Sequence, residues 1–416
     1  MIERLKNYNT NQILILLTSL AMFMPFYIGF GILGFDLFYF IYTNQMGDIS
    51  KEMKNSKYLF FFIFYAIVVS VANQNSYGLM ASFGILIFCL FFLFYRVHLT
   101  KDLFKDVIRV MIIATGITFC VTLLKYGLVF VENHMDLAAL ANYYAENRDV
   151  SNYFNANYYA MICELMIVLT SYLANIATKR SRKLLYVVIT AVAFGALILT
   201  GSRSALAIAI LIVVLMNYNF RKKKTRVGMI EIGMILFIAV NIIGETGLFP
   251  RFVGMDESFG LREKIWRATV GVIQEHWLFG VGPMGLYSEV HMLGSRAVHH
   301  SHNIILDFII NFGFVGFLIL LPFVNQIIQE IRNAKRTPYF PIILMMTGVI
   351  LLHGMVDVTI FWHQTAFIYF VFVSGVGKLY SEPVKVTLPV LAREKIPSLK
   401  VDQPIFYNLT RKTKKY

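Results

Sequence analysis

Charge is what this 416-residue chain is short of. Asp, Glu, Lys and Arg make up only 15% of it, against 57% hydrophobic residues, and the mean hydropathy is +0.64. Soluble domains carry closer to about a quarter charged residues, so a large soluble core is excluded and a polytopic membrane protein is expected. Runs such as Leu184 to Leu199 and Ala205 to Met216 lack the polar face that a half-exposed helix needs. Cysteine is scarce too: Cys89, Cys120 and Cys163 all lie inside apolar runs. That excludes a disulfide framework or a thiolate metal centre, and the three are expected to act as small core hydrophobes. No A-x-A-like cleavage site follows the basic and then apolar start "MIERLKNYNTNQILILLTSLAMFMPF", which therefore reads as a retained first span. Internal repeats and low-complexity tracts are missing as well.

What is present is a succession of apolar runs. They place spans near Gln12 to Ile28, Phe30 to Tyr42, Tyr58 to Asn73, Tyr77 to Tyr95, Val107 to Leu124 and Ala156 to Ala177. Six more follow, near Leu184 to Leu199, Ser204 to Tyr218, Val227 to Ile243, Ile304 to Ile327, Phe340 to Met355 and Thr359 to Leu379. The fold class is thus all-α, with about 12 transmembrane helices. The net charge of +14 does not mark a nucleic-acid binder, because the basic residues cluster in short segments between apolar runs, with no aromatic-interleaved basic domain.

With both termini in the cytoplasm, most of the 38 lysines and arginines fall inside, including "KRSRK" (Lys179 to Lys183), "RKKKTR" (Arg221 to Arg226) and the basic tail. This is the positive-inside pattern, and it requires an even number of spans. Three regions follow: a transmembrane domain over 1–379, a large extracytoplasmic loop over 244–303 inserted in it, and a solvated basic tail over 380–416. The few cations left outside are Arg148, Arg203, Arg251, Arg262, Arg267, Arg296, Lys125 and Lys264.

Three outer constellations carry chemistry. In "TGSRSA" (Thr200 to Ala205) the small residues suit a tight turn that presents Arg203 at the membrane surface, where its guanidinium can fork onto an anion. The same residue would also suit a snorkelling helix end. In "FGLREKIWRATVGVIQEHWLFGVGPMGLY" (Phe259 to Tyr287), Leu261, Ile265, Thr269 and Val272 recur at helical spacing, predicting an amphipathic surface helix that carries Arg262. Arg267 points elsewhere on the wheel and equally suits a solvated face. "GVGPMG" (Gly280 to Gly285) matches G-x-G-x-x-G, but it follows a helix rather than a strand and holds Pro283, so a dinucleotide loop is rejected. A glycine turn approaching the membrane or a sugar is expected instead.

The third constellation is "VHHSHNIILDFIINFGFVGF" (Val298 to Phe317). If its helix begins near His300, then Asn303, Asp307 and Asn311 form one inward stripe. A carboxylate at membrane depth costs about 2.5 to 3.5 kcal/mol on insertion scales, so the stripe serves a polar interior or glues helices. Gly313 and Gly316 would admit a close helix neighbour. Asn157, Glu164, Glu231, His353, Asp357 and His363 are further polar residues in or beside spans, each as open to a structural as to a functional role.

These residues resemble a known family. His302 and Asn303, nine residues, then Gly313, two residues and Gly316 resemble the H-[NSQ]-x9-G-x-x-[GTY] pattern of the O-antigen ligase and Wzy-type O-antigen polymerase superfamily. "GSRSA" is similar to its arginine turn, "LREKIW…LFGVGPMG" to the helix and glycine loop of its large outer loop, and "NANYYA" (Asn155 to Ala160) to an asparagine motif. The resemblance implies a GT-C-like fold and transfer of glycan from an undecaprenyl-pyrophosphate carrier without metal or other cofactor. It also implies catalytic roles for Arg203 and Arg262 on the pyrophosphate and for His302 on the acceptor hydroxyl. Arg267, Asn303, Asp307, His299, His300 and Asn157 are candidate substrate-binding residues around them.

The chemistry agrees. A departing diphosphate needs its charge stabilised, which preorganised guanidinium groups supply, and an imidazole can take a hydroxyl proton at neutral pH. No histidine and carboxylate set shows the spacing of a metal site. Expected partners are the lipid-linked oligosaccharide, a glycan acceptor, membrane lipids, and flippase or chain-length regulator proteins, with no nucleic acid. Polymerase and ligase readings both stand; richness in Asn, Lys and Ile, suggesting an AT-rich source without lipid A, favours the polymerase. A multi-span transporter or flippase is the alternative of another class, but the polar residues gather at the outer face rather than at mid-membrane.

Overall fold

The computed structural model describes residues 5–136, 139–140, 143, 146–148, 150–151, 153, 155–217, 255–294 and 296–380. The expected span from Val227 to Ile243, "RKKKTR", Arg251, the opening of the outer loop and the tail after Tyr380 lie outside these residues. Everything described is helical apart from its connections and one two-stranded hairpin, β1 (Met292–Leu293) with β2 (Arg296–Ala297). Among the described residues, fourteen α-helices run in order: α1 (Thr10–Ala21), α2 (Phe26–Tyr42), α3 (Met46–Lys51), α4 (Ser56–Ala72), α5 (Ser76–His98), α6 (Lys101–Glu132) and α7 (Ala156–Ile176). Then come α8 (Arg180–Leu199), α9 (Arg203–Asn217), α10 (Met255–His276), α11 (Gly285–Val290), α12 (Ile304–Asn333), α13 (Phe340–Gly354) and α14 (His363–Tyr380).

Among the described residues, five helices, α5, α6, α7, α8 and α12, are long and apolar enough to cross a membrane, and α1, α2, α4, α9 and α13 are shorter apolar helices. The protein is an all-α polytopic membrane protein. Its outer surface confirms the solvent: Phe35, Phe38, Phe64, Leu124 and Leu184 all turn outward, an arrangement that lipid rewards and water does not. At the centre stands α7, buried along nearly its whole length and packed by α8, α9, α13 and α14.

Helix starts follow local chemistry. Asn9, Asn75, Thr100, Asn155 and Asn303 each accept a backbone N–H of the first turn through their side chains, the usual remedy for unpaired amides at a helix N-terminus. Boundaries depart from the expected spans where proline and glycine intervene. The first span ends at Ala21, because Pro25 starts α2 at Phe26. Residues Thr359 to Phe361 form a separate 3-10 turn before α14. The cysteines split: Cys163 is buried, whereas Cys120 is exposed on α6 and so is no core residue.

The largest departure is in α12. It is broken at Gly313, whose φ of 60° and ψ of −170° lie outside the helical range. Backbone groups freed by the break are taken by the segment before α11. Ile310 O and Asn311 O accept Val281 N–H and Gly282 N–H at 2.9 Å, while Phe314 N–H and Val315 N–H donate to Trp277 O and Leu278 O. A Cβ on Gly280 would lie 2.7 Å from the Asn311 backbone, and one on Gly313 2.5 Å from Leu278 O. The glycine turn thus approaches the open backbone of a broken helix, not a lipid or sugar as expected. This is the setting in which non-helical backbone survives at membrane depth. Gly316 does admit a close neighbour, the Tyr65 ring of α4.

Candidate active site

The crowded stretch before α12 is a loop, not a helical turn: the helix starts at Ile304, with Asn303 as its cap. The expected single stripe is therefore divided. Asn303 Oδ1 accepts Ile305 N–H and Leu306 N–H, and its Nδ2 donates to Met355 O. Asp307 Oδ1 accepts Ser301 N–H at 2.7 Å, and its Oδ2 accepts Asn311 Nδ2, whose Oδ1 in turn accepts Gly285 N–H. These buried groups hold the histidine loop and the glycine turn onto one helix end; their hydrogen-bonding capacity is spent on scaffold rather than turned to a ligand. That accounts for so many polar groups at the head of a lipid-crossing segment.

The loop they hold aims two imidazoles at one carboxylate. His302 has φ +51°, a left-handed conformation that a bulky residue adopts only when its surroundings enforce it. His300 Nε2 and His302 Nδ1 each lie 3.5 Å from Asp357 Oδ1, with ring centroids 4.3 Å apart, and neither nitrogen has a hydrogen-bond partner. Asp357 is buried just beyond α13; its Oδ1 accepts Val358 N–H and its Oδ2 accepts Asn157 Nδ2 at 2.9 Å. Burial alone would raise the Asp357 pKa, but the two histidines outweigh it and hold the carboxyl well below its usual range. For His300, burial opposes the charged form, yet Asp357 beside it and Asp307 behind raise its pKa.

Asn157 links this cluster to the arginine turn. Its Oδ1 accepts Arg148 Nη2 at 2.6 Å, and Arg148 Nε donates to Thr200 O at 2.7 Å. Thr200 opens the turn through Gly201, at φ 64°, that delivers half-buried Arg203 to the first position of α9. Beneath lies a buried pair, His353 Nδ1 to Glu164 Oε2 at 2.7 Å, with His353 Nε2 3.5 Å from Ser204 Oγ. Arg262, half-buried on the surface helix α10, is close enough for its charge to act on His353.

The expected site residues therefore separate into two groups. His302, His300 and Asn157 converge on Asp357, Arg203 is tied in through Arg148, and Arg262 faces the same end of the bundle. Arg267 does not converge: its side chain is 80% exposed and pairs with Glu263, one turn earlier. His299 turns away to stack on Tyr287 at 4.8 Å, with its pKa lowered by desolvation and then by His300. Sequence reasoning left Asp357, Glu164 and His353 undecided and counted Arg148 only as a loop cation. The signal for one of them was the four-residue spacing of His353 and Asp357 at a helix end. One grouping was not foreseen: His300, His302 and Asp357 offer three ligand-type atoms within 4.8 Å of one another, the donor types a divalent cation takes. Their separation along the chain hid the set.

Residues 186–321 match the family model described as O-antigen ligase. No curated protein matches the chain. The matched third of the chain holds Arg203, Arg262 and His302, the residues on which the motif resemblance rests, and so supports a relationship to the O-antigen ligase and Wzy-type superfamily. The match supports, at family level, a membrane glycosyltransferase of ligase or polymerase type. Asn157, Glu164, His353 and Asp357 complete the site from outside the matched stretch.

Proposed function

We propose that the protein moves glycan from an undecaprenyl-pyrophosphate carrier to an acceptor hydroxyl at the outer face of the bacterial cytoplasmic membrane, polymerising lipid-linked repeat units of a surface polysaccharide. The observation that carries this reading is the Asp357–Asn157–Arg148–Thr200 chain, which ties the histidine loop to the arginine turn. A transferase needs one set of groups on the acceptor hydroxyl and another on the leaving diphosphate, held at fixed separation. On this reading His302 accepts the acceptor proton, with Asp357 stabilising the imidazolium that forms. The acceptor oxygen attacks the anomeric carbon, the bond to phosphate breaks, and the electron pair departs on the pyrophosphate. Direct displacement inverts the anomeric centre. Arg203 and Arg262, with the N-terminal amides of α9, face the developing charge.

The guanidinium groups take the place a metal ion would have, and His300, His302 and Asp357 serve the proton rather than a cation. Turnover is therefore expected to survive a chelator. Both termini lie in the cytoplasm on this reading, with 1–379 as the membrane domain, 244–303 as the outer loop and 380–416 as the cytoplasmic tail. Flippase and chain-length regulator proteins are its natural neighbours.

The test is purified protein in detergent given lipid-linked repeat units alone. A ladder of lengthened lipid-linked products is the expected outcome. Transfer only when a separate lipid, wall or protein acceptor is added would assign the ligase reaction instead. No product with either would contradict the glycosyltransferase reading and leave the transporter.

A further inference from the structure

The buried pair beneath the arginine turn has no part in the reaction so far. Glu164 on α7 and His353 on α13 are fully enclosed, at 0% and 1% side-chain exposure, although an apolar pair would fill such a place at lower desolvation cost. Glu164 Oε2 holds His353 Nδ1 at 2.7 Å, which fixes the ring and leaves Nε2 directed at Ser204 Oγ, 3.5 Å away. Ser204 is half-buried on α9 and follows Arg203 directly. Acid, imidazole and hydroxyl from three helices thus form a line ending beside the residue assigned to the leaving pyrophosphate. It is the nucleophile–base–orienter geometry of an activated hydroxyl, and contacts of this kind are often long before substrate tightens them. Asp357 N–H donates to His353 O, so the line and the histidine loop meet at one helix end, from opposite sides.

We infer that Ser204, His353 and Glu164 form a proton relay to the departing diphosphate, making Ser204 a further catalytic residue and His353 and Glu164 its positioning residues. The inference rests on the glycosyltransferase reading above. As the bond from the anomeric carbon to the phosphate oxygen breaks, that oxygen receives the Ser204 hydroxyl proton. Ser204 is reprotonated from His353 Nε2, which leaves a neutral imidazole still held by the Glu164 carboxylate. His302 has meanwhile taken the acceptor proton, so one proton enters the protein for the one that leaves, and solvent exchange resets both histidines. The charged groups facing His353 are Glu164, Asp357 and Arg262.

Ser204→Ala, Ser204→Thr and His353→Gln are compared with the full-length wild type in detergent, using the lipid-pyrophosphate-linked oligosaccharide, over a range of pH. Ser204→Ala is expected to lower kcat by about a hundredfold with the donor KM unchanged, the ordinary contribution of one acid–base group. Ser204→Thr, which keeps the hydroxyl, restores most of the rate. The alkaline fall in wild-type kcat, where His353 loses its proton, is lost from the Ser204→Ala and His353→Gln profiles. Wild-type kcat and alkaline limb in Ser204→Ala overturn the relay while the glycosyltransferase reading stands. A loss in KM alone assigns Ser204 to binding and also overturns it. Should the wild type transfer nothing, both readings fall together.

Discussion

Asp307 and Glu330 stand on the same helix, α12, separated by about 35 Å of its length, and each end gathers buried charge in a different way. At the Glu330 end, Arg96 is forked onto Glu330 at 2.9 and 3.3 Å and donates to Ser374 O; Glu52 lies 3.4 Å from Arg96 and takes Lys378 at 2.6 Å. Two cations answer two carboxylates, the helices and loop that carry them are locked, and no backbone there is strained. Both ends bury polar atoms without a hydrogen bond, Arg96 Nε and the Tyr95 hydroxyl at the Glu330 end, two ring nitrogens and Glu164 Oε1 at the Asp307 end. There His302 is held in a left-handed conformation, and α12 itself is broken. A protein keeps backbone strain only where something else offsets its cost. The first end is locked by its ion pairs; the second is the one proposed to do chemistry.

The sharpest way to break that contrast is Asp357→Asn, which removes the charge facing His300 and His302 and leaves one amide oxygen for the two N–H donors, Asn157 Nδ2 and Val358 N, that the carboxylate accepts. Turnover in the detergent assay is expected to fall by about a hundredfold or more, and melting temperature falls as well, because the carboxylate that raises the His300 pKa is gone. Glu330→Gln is the opposite case. It leaves Arg96 short of its bidentate partner and is expected to cost about 3 kcal/mol, the low end for a broken buried pair because Glu52 remains. Melting in detergent should drop while kcat of the surviving protein stays at the wild-type value.

A smaller effect follows from pH. The raised His300 pKa gives stability that is complete below about 6.5 and lost as pH rises through the folded-state value above it. The lowered Asp357 pKa gives stability complete above about 3.9 and lost as pH falls through its lower folded-state value. Melting temperature should therefore decline from mildly acidic to alkaline pH, and Asp357→Asn should flatten that decline, whereas Glu330→Gln should not. Smallest of all is Arg267→Ala. An exposed pair with Glu263 is worth about 0.3 to 0.5 kcal/mol, so both melting and turnover should stay near wild type; a large loss of turnover would put Arg267 back in the site.

Local pattern carried much of this. Apolar runs placed the helices, and the small-residue turn before Arg203 and the periodicity of α10 could be read from neighbours in sequence. The motifs of Arg203, Arg262 and His302 stood out because they are short and sit where positive charge is otherwise sparse. Residues joined only by tertiary contact were not. Asn157 and Asp357 are 200 positions apart, and Glu164 and His353 are 189 apart; single polar residues beside spans carry no mark of their partner. Asp307 and Asn311 left two readings open, a polar interior or a glue between helices, and only the break at Gly313 shows which backbone and loop groups they hold. Arg267 and His299 lie apart from the Asp357 cluster, since proximity to a motif in sequence is not proximity in space.

The claim on which the rest depends is that the arginine turn and the histidine loop act on one substrate. Single-turnover transfer from a lipid-pyrophosphate-linked oligosaccharide, measured for wild type, Arg203→Ala, His302→Ala and the double variant, tests it directly. The account predicts that each single change nearly abolishes transfer in a protein that still melts normally, and that the double variant is scarcely worse than either, as expected of groups working on one step. Wild-type rates in either single variant, or losses that multiply as for independent sites, would contradict it.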